Sequence, residues 1–72
     1  MKNIQIKYPN KLKELRKAHN LKQTDISAYM GFTGEERISR WERGQALPSL
    51  RNIIKLTQLF KVKIEDIYSD IG

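Results

Sequence analysis

The sequence predicts an all-α fold of five short helices in one domain. Apolar residues recur at intervals of three and four along most of the chain, which is the period of a helix that buries one face. Glycine, proline and asparagine interrupt this pattern at short intervals, so we expect short helices joined by tight turns. With 72 residues, the chain is long enough for one core and too short for two.

Residues 1–8 differ from the rest because apolar and polar side chains alternate there. Ile4, Ile6 and Tyr8 share one side of an extended chain, which is typical of a short strand. A lone strand has no partner inside a helical domain. We therefore expect residues 1–8 to be an N-terminal extension, either a tail or a strand paired across a dimer, and residues 9–70 to be the domain.

The first two helices are bounded by residues that favour helix ends. Pro9 and Asn10 start the first helix, and Asn20 ends it because asparagine tolerates the left-handed conformation. The second helix runs from about Gln23 to Met30, and glycine follows it. The residues expected on their buried faces are Leu12, Leu15, Ala18 and His19, then Ile26, Tyr29 and Met30.

A third helix is expected from about Gly34 to Arg43, anchored by Ile38 and Trp41. Ser49 is a suitable N-cap for a fourth helix, and a short fifth covers about Ile64 to Ser69. The buried stripe expected on the fourth helix consists of Leu50, Ile53, Ile54, Thr57 and Phe60.

Fourteen basic residues against eight acidic ones give a net charge of +6, and twelve of the basic residues lie within residues 1–55. A basic region of this kind favours a polyanion such as nucleic acid. The chain has no cysteine and one histidine, and its carboxylates are expected on exposed helix positions. We therefore expect no enzyme, no metal site and no cofactor.

No apolar run approaches the roughly 20 residues of a membrane-spanning helix, and the N-terminus lacks the apolar stretch of a signal peptide. The basic residues are spread over several helices, which argues against a membrane-surface role. We expect no membrane partner and a cytoplasmic protein that is associated with the nucleoid when bound to DNA.

The second and third helices, with a tight turn at Gly31, have the spacing of a helix-turn-helix at about residues 23–43. The chain resembles the lambda-repressor-like (XRE) family of helix-turn-helix proteins over residues 11–68. The resemblance implies a five-helix DNA-binding domain of a transcriptional regulator, most simply a repressor. The segments that carry it are LKQTDI (21–26), MGF (30–32), ISRWERG (38–44), LPSL (47–50), FKV (60–62) and IEDI (64–67).

At about 100° per residue, Glu36, Arg40 and Arg43 fall opposite Ile38 and Trp41 on the third helix. Arginine can bind guanine O6 and N7 with two hydrogen bonds, and glutamate can accept from cytosine N4. The outer face of this helix therefore suits double-stranded DNA.

The resemblance implies individual roles. Gln23 would meet a phosphate, Glu35, Glu36 and Arg40 would face base edges, and Arg37 and Arg43 would meet phosphates. Arg16 and Glu42 would form an ion pair that ties the first helix to the third. The DNA-binding residues expected in full are Lys22, Gln23, Thr24, Thr33, Glu35, Glu36, Arg37, Ser39, Arg40 and Arg43.

Structural alternatives stay open for several of these residues. Glu36 could form a capping box with Thr33 or pair with Arg40, the arginines could be a solvated face, and Gln23 could be a first-turn residue. The chain also departs from the family pattern. Lys22 stands where a threonine N-cap is common, Lys61 replaces the usual glycine, and the connection at residues 32–37 is one residue longer. Whether the extra residue lies in the turn or in the helix decides where Glu35 points.

Because one recognition helix reads only a few base pairs, we expect a homodimer on a near-palindromic double-stranded DNA operator. Its surface would use Ile64, Ile67, Tyr68 and Ile71, or the strand in residues 1–8. The alternative is an antitoxin-type helix-turn-helix protein that binds a toxin as well as DNA. A sensor domain is a further possible protein partner.

Overall fold

The computed structural model describes residues 6–69, which form five helices and no strand, so the predicted all-α fold is confirmed. Residues 1–5 of the predicted N-terminal strand lie outside the described residues, and residues 7–8 form a bend. The helices are α1 (Leu12–Ala18), α2 (Gln23–Met30), α3 (Glu36–Glu42), α4 (Leu50–Phe60) and α5 (Ile64–Ile67).

All five helices contribute to one hydrophobic core. Trp41 of α3 and Phe60 of α4 are among its largest side chains, and both are almost fully buried. Because every helix is short, each one supplies only one to three core residues. The remaining members are Leu12, Ile26, Met30, Ile38, Ile53, Leu56, Ile67 and Tyr68.

The ends of the helices follow local signals in the sequence. Asn20 adopts the left-handed conformation after α1, as predicted, with φ of 58°. The Ser49 hydroxyl oxygen accepts a hydrogen bond from the backbone N–H of Asn52 at 3.3 Å, so the predicted N-cap of α4 is confirmed. Lys61 is also left-handed, with φ of 57°, where a side chain costs roughly 1–2 kcal/mol.

The buried face of α4 is rotated from the predicted one. Ile53 and Phe60 are buried as expected, but Leu50 is 71 % exposed and Ile54 is 47 % exposed. Leu56 takes their place in the core because it lies between Ile53 and Phe60 on the side that faces the other helices. The apolar residues of α4 therefore cover a wider arc than the core does.

The buried face of α2 also differs from the prediction. Tyr29 is 44 % exposed, whereas Ser27 is buried beside Ile26 and Met30. On α1, Ala18 is exposed because the helix ends there.

His19 at the end of α1 is exposed, although its ring centroid lies 5.3 Å from that of Phe60. The expected dimer surface is partly wrong, since Ile67 and Tyr68 belong to the core of this protomer. Burial raises the pKa of Tyr68 to about 12, so its phenol is neutral at physiological pH. Ile71 lies outside the described residues.

Within residues 6–69, no helix has both the length and the apolar character needed to cross a lipid bilayer. The same residues hold no group of three or more His, Asp or Glu side chains arranged to bind a metal ion.

Candidate nucleic-acid interface

The turn between α2 and α3 contains the extra residue. α2 ends at Met30 and α3 begins at Glu36, so residues 31–35 form the connection and α3 is not lengthened. The buried Ser27 hydroxyl donates to the carbonyl oxygen of Gly34 and contacts that of Phe32 at 3.4 Å. The backbone N–H of Phe32 donates to the carbonyl of Ser27 at 2.9 Å. Ser27 therefore fixes the longer turn onto α2.

Sequence reasoning did not identify Ser27. The signal was a small polar residue between Ile26 and Met30 on a helix that buries both. A buried hydroxyl requires a hydrogen-bond partner, and the nearby turn supplies carbonyl acceptors.

The outer face of α3 is open to solvent. Ile38 and Trp41 point into the core, and Glu36, Arg40 and Arg43 are all exposed. Between residues 6 and 69, Arg16 and Glu42 form the one ion pair within 4 Å, so Glu36 and Arg40 are not paired with each other. Their charged groups are therefore free to meet a ligand.

Glu35 and Thr33 lie before α3. A capping box between Thr33 and Glu36 requires Thr33 to be the N-cap residue. The N-cap is Glu35 instead, and it makes no side-chain cap hydrogen bond, so this box is not formed. Both residues are exposed, and together with Glu36, Ser39 and Arg43 they line a shallow groove along α3. Ser39 is half-buried in this groove. The turn therefore places Glu35 at the entrance of α3 rather than on its outer face.

Arg37 is held at the side of α3 by an aromatic contact. Its guanidinium carbon lies 4.2 Å from the centroid of the Phe32 ring. Phe32 in turn packs edge-to-face on Trp41, with ring centroids 5.7 Å apart. A cation over an aromatic face keeps its N–H groups at the edge of the guanidinium plane, where they remain available to a phosphate.

The structure brings Arg16 and Glu42 together. The Arg16 Nε donates to Glu42 Oε2 at 2.5 Å and its Nη2 donates to Oε1 at 3.3 Å, with only 12 % and 4 % of the two side chains exposed. Arg16 Nη1 also donates to the carbonyl oxygen of Leu21 at 3.0 Å. Gln23 Nε2 donates to Glu42 Oε1 at 3.0 Å. This network ties α1 and the start of α2 to the C-terminal end of α3.

The start of α2 contributes exposed donors. Lys22 and Thr24 are exposed, and Gln23 keeps one amide hydrogen that the bond to Glu42 does not use. Asp25 compensates for the missing threonine cap, since its Oδ2 accepts from the backbone N–H of Lys22 at 2.8 Å. The ammonium group of Lys22 takes no part in that cap.

The N-terminus of α4 lies beside two arginines of α3. The DNA-binding surface expected from the sequence did not include this helix start. Arg37 and Arg40 line a groove together with Ser49, Asn52 and residues 46–48. The first N–H groups and the positive end of a helix favour an anion. The sequence did contain a signal for this part of the interface, because the predicted N-cap Ser49 places a helix start soon after α3.

The interface thus has three parts: the start of α2, the outer face of α3 and the start of α4. All three present hydrogen-bond donors or positive charge, with glutamates only at the entrance and first turn of α3. This combination suits the phosphates and base edges of double-stranded DNA.

Residues 12–67 match the sequence profile of the helix-turn-helix family. The chain is 42 % identical over 59 residues to an uncharacterized HTH-type transcriptional regulator from Methanocaldococcus jannaschii, covering 82 % of this chain and 88 % of the relative. It is 27 % identical over 64 residues to the HTH-type transcriptional activator BcrR from Enterococcus faecalis, covering 89 % of this chain and 31 % of BcrR. The crystal structure of the restriction-modification controller protein C.AhdI from Aeromonas hydrophila has a TM-score of 0.66 at 32 % identity, covering 78 % of this chain and 83 % of that one.

Proposed function

Because the chain belongs to the helix-turn-helix family of DNA-binding transcriptional regulators, we propose that it recognises a specific operator by placing α3 in the major groove. The observation that carries this proposal is the outer face of α3. Arg40 is exposed at its centre, opposite Ile38 and Trp41, and no acidic side chain of residues 6–69 pairs with it.

The expected DNA-binding residues fall into two groups, those that contact base edges and those that contact phosphates. Glu36 and Arg40 face base edges, where a glutamate reads cytosine and an arginine reads guanine, and Glu35, expected from the sequence to do the same, lies beside them at the entrance of α3. The phosphate contacts come from both sides of α3 and fix its register without reading sequence. They are Lys22, Gln23, Thr24, Thr33, Arg37, Ser39 and Arg43.

The experiment is selection of bound duplexes from a random DNA library, followed by titration of the recovered duplex and of a scrambled duplex at one salt concentration. A specific regulator enriches one sequence and binds it at least about a thousandfold more tightly than the scrambled duplex. Equal affinity for the two duplexes would reject sequence-specific recognition.

We also propose that the protein binds as a homodimer through the end of the molecule formed by α4 and α5. Leu50 and Ile54 lie one turn apart on α4 and are 71 % and 47 % exposed. Leu47 and Ile64, each 44 % exposed, line an adjoining groove. Four large exposed apolar side chains on or beside α4 and α5 favour a partner with the same surface, and a symmetric operator supplies a reason for two copies.

Leu50→Ser tests the dimer at little cost to the protomer, because the side chain is already exposed, and it adds no charge beside the DNA-facing start of α4. We expect the variant to sediment as a monomer and to lose affinity for the full operator while a single half-site still binds. Tyr29→Ser is the matched control, since Tyr29 is a large exposed residue on α2. A wild-type chain that stays monomeric on its full operator would reject the dimer.

We propose repression as the mode of regulation, since a dimer that occupies promoter DNA excludes polymerase from the same grooves. A reporter with the selected operator placed over the promoter tests this directly. Expression should fall when the protein is supplied, and a rise would reverse the proposed sign.

A further inference from the structure

Residues 6–11, called here the N-terminal strap, lie against the C-terminal end of α3. The backbone N–H groups of Lys7 and Tyr8 donate to the carbonyl oxygen of Gly44 at 3.1 and 3.0 Å. At the other end of the strap, the N–H of Lys11 donates to the carbonyl oxygen of Ile67 at 3.0 Å. The strap is therefore fixed both to the end of α3 and to α5.

Asn10 is the side chain that joins the strap to α3. Its Nδ2 donates to the carbonyl oxygens of Tyr8 and Trp41 at 2.9 and 2.8 Å. Its Oδ1 accepts from the backbone N–H of Leu12 at 2.9 Å, which starts α1. One amide thus serves two separable purposes, a turn that leads into α1 and a contact to the backbone of α3.

Gly44 permits this close approach. Its φ is +72°, and a Cβ at this position would lie 2.5 Å from Ile6 Cγ2 and 2.9 Å from the carbonyl oxygen of Tyr8. Both the backbone conformation and the neighbouring strap therefore require glycine. The strap lies directly against the backbone that follows Arg43.

The two ends of α3 are held differently. At its start, the N-cap Glu35 makes no side-chain cap hydrogen bond. At its end, hydrogen bonds to Glu42 fix α3 to α1 and α2. Further hydrogen bonds fix the same end to the strap, from Asn10 to Trp41 and from the strap backbone to Gly44. A seven-residue helix is about 10 Å long, so a change at its fixed end moves the whole reading face.

We infer that the N-terminal strap positions α3 for sequence recognition, and that Asn10 is its positioning residue. This inference rests on the proposed role of α3 in the major groove. Loss of the contact to Trp41 shifts α3 as a unit. The shift misaligns Arg40 with base edges, which need close geometry, whereas the phosphate contacts keep their charge and tolerate a small displacement. The effect is therefore expected on specific binding and not on binding to random DNA.

The test uses the full chain with Asn10→Ser and Asn10→Ala. Serine retains a side-chain oxygen that accepts from the Leu12 N–H but is too short to reach the Trp41 carbonyl. Alanine loses both hydrogen bonds. Each variant is titrated against the duplex selected by the wild-type protein and against a scrambled duplex. We expect both variants to lower the ratio of specific to random affinity by about threefold to tenfold, the size of one net hydrogen bond. The loss of Tm should be larger for alanine.

Leu59→Ala is the control for stability, because Leu59 is a partly buried residue of α4. It should lower Tm while leaving the affinity ratio unchanged. An unchanged ratio in Asn10→Ser would overturn the inference, as would an equal fall in Leu59→Ala. A wild-type chain with no preference for any duplex would instead reject the proposed function, and the inference with it.

Discussion

The substitution Glu42→Gln removes one charge from the buried network that joins three helices. Arg16 would then keep its hydrogen bond to the Leu21 carbonyl oxygen, but it would face a neutral amide where the carboxylate had been. Breaking a buried ion pair from one side costs about 3–5 kcal/mol. Because Arg16 is 12 % exposed and retains that carbonyl, we expect the lower end, about 3 kcal/mol.

For a 72-residue domain, a free energy of unfolding of about 4–11 kcal/mol is typical, so Glu42→Gln should remove a large part of the stability. The corresponding fall in Tm is about 12–24 °C at 4–8 °C per kcal/mol. Urea unfolding followed by circular dichroism measures the free energy, and thermal unfolding measures Tm.

A double-mutant cycle isolates the pair from the packing of each side chain. The single variants are Arg16→Met and Glu42→Gln, and the double variant carries both. We expect a coupling energy of about 2 kcal/mol, with the double variant no less stable than Glu42→Gln alone. A coupling below about 0.5 kcal/mol would refute the reasoning, because the pair would then contribute no more than an exposed one.

Four further predictions concern the outer face of α3, the start of α2, the end of α4 and the turn between α2 and α3. Arg40→Ala should weaken binding to the selected operator by about 1–3 kcal/mol and binding to scrambled DNA much less. Lys22→Ala should weaken both alike and reduce the slope of log affinity against log salt by about one. Titrations of both duplexes at one salt concentration check Arg40→Ala, and titrations across a series of salt concentrations check the slope for Lys22→Ala. An unchanged affinity ratio for Arg40→Ala would mean that α3 does not read bases. Lys61→Gly should raise the free energy of unfolding in urea by about 1 kcal/mol, since glycine relieves the left-handed strain; a loss of stability would contradict that. Ser27→Ala should cost about 0.5–1.5 kcal/mol and speed amide hydrogen exchange at residues 32–36, because the part-buried carbonyl oxygen of Gly34 loses its donor. Unchanged exchange there would show that the turn does not depend on Ser27.

The positions of the helices were predictable because their ends are set by local residues. Asn20, Gly31 and Ser49 each act within three or four residues of themselves, so a single sequence contains the whole signal. The outer face of α3 was predictable for the same reason, since Ile38 and Trp41 fix its rotation.

Features that depend on distant partners could not be predicted in this way. Leu50 and Ile54 are as apolar as Leu56, and only the placement of the other helices against α4 decides which of them is buried. The bond from Asn10 to Trp41 joins residues 31 positions apart, and nothing near Asn10 indicates its partner. The extra residue before α3 fits a turn or a helix equally well by sequence, and the hydroxyl of Ser27 selects the turn.

The residues that fix α3 in the fold are different from the residues on its exposed face. The groups that fix the helix are Ile38, Trp41 and Glu42, and none of them lies on the face that carries Arg40 and Arg43. Under the proposed function, substitutions on that face would change the preferred operator at little cost in folding. A duplicated copy of this chain could acquire a new target by exchanging a few exposed residues, while the scaffold that aims them is inherited unchanged.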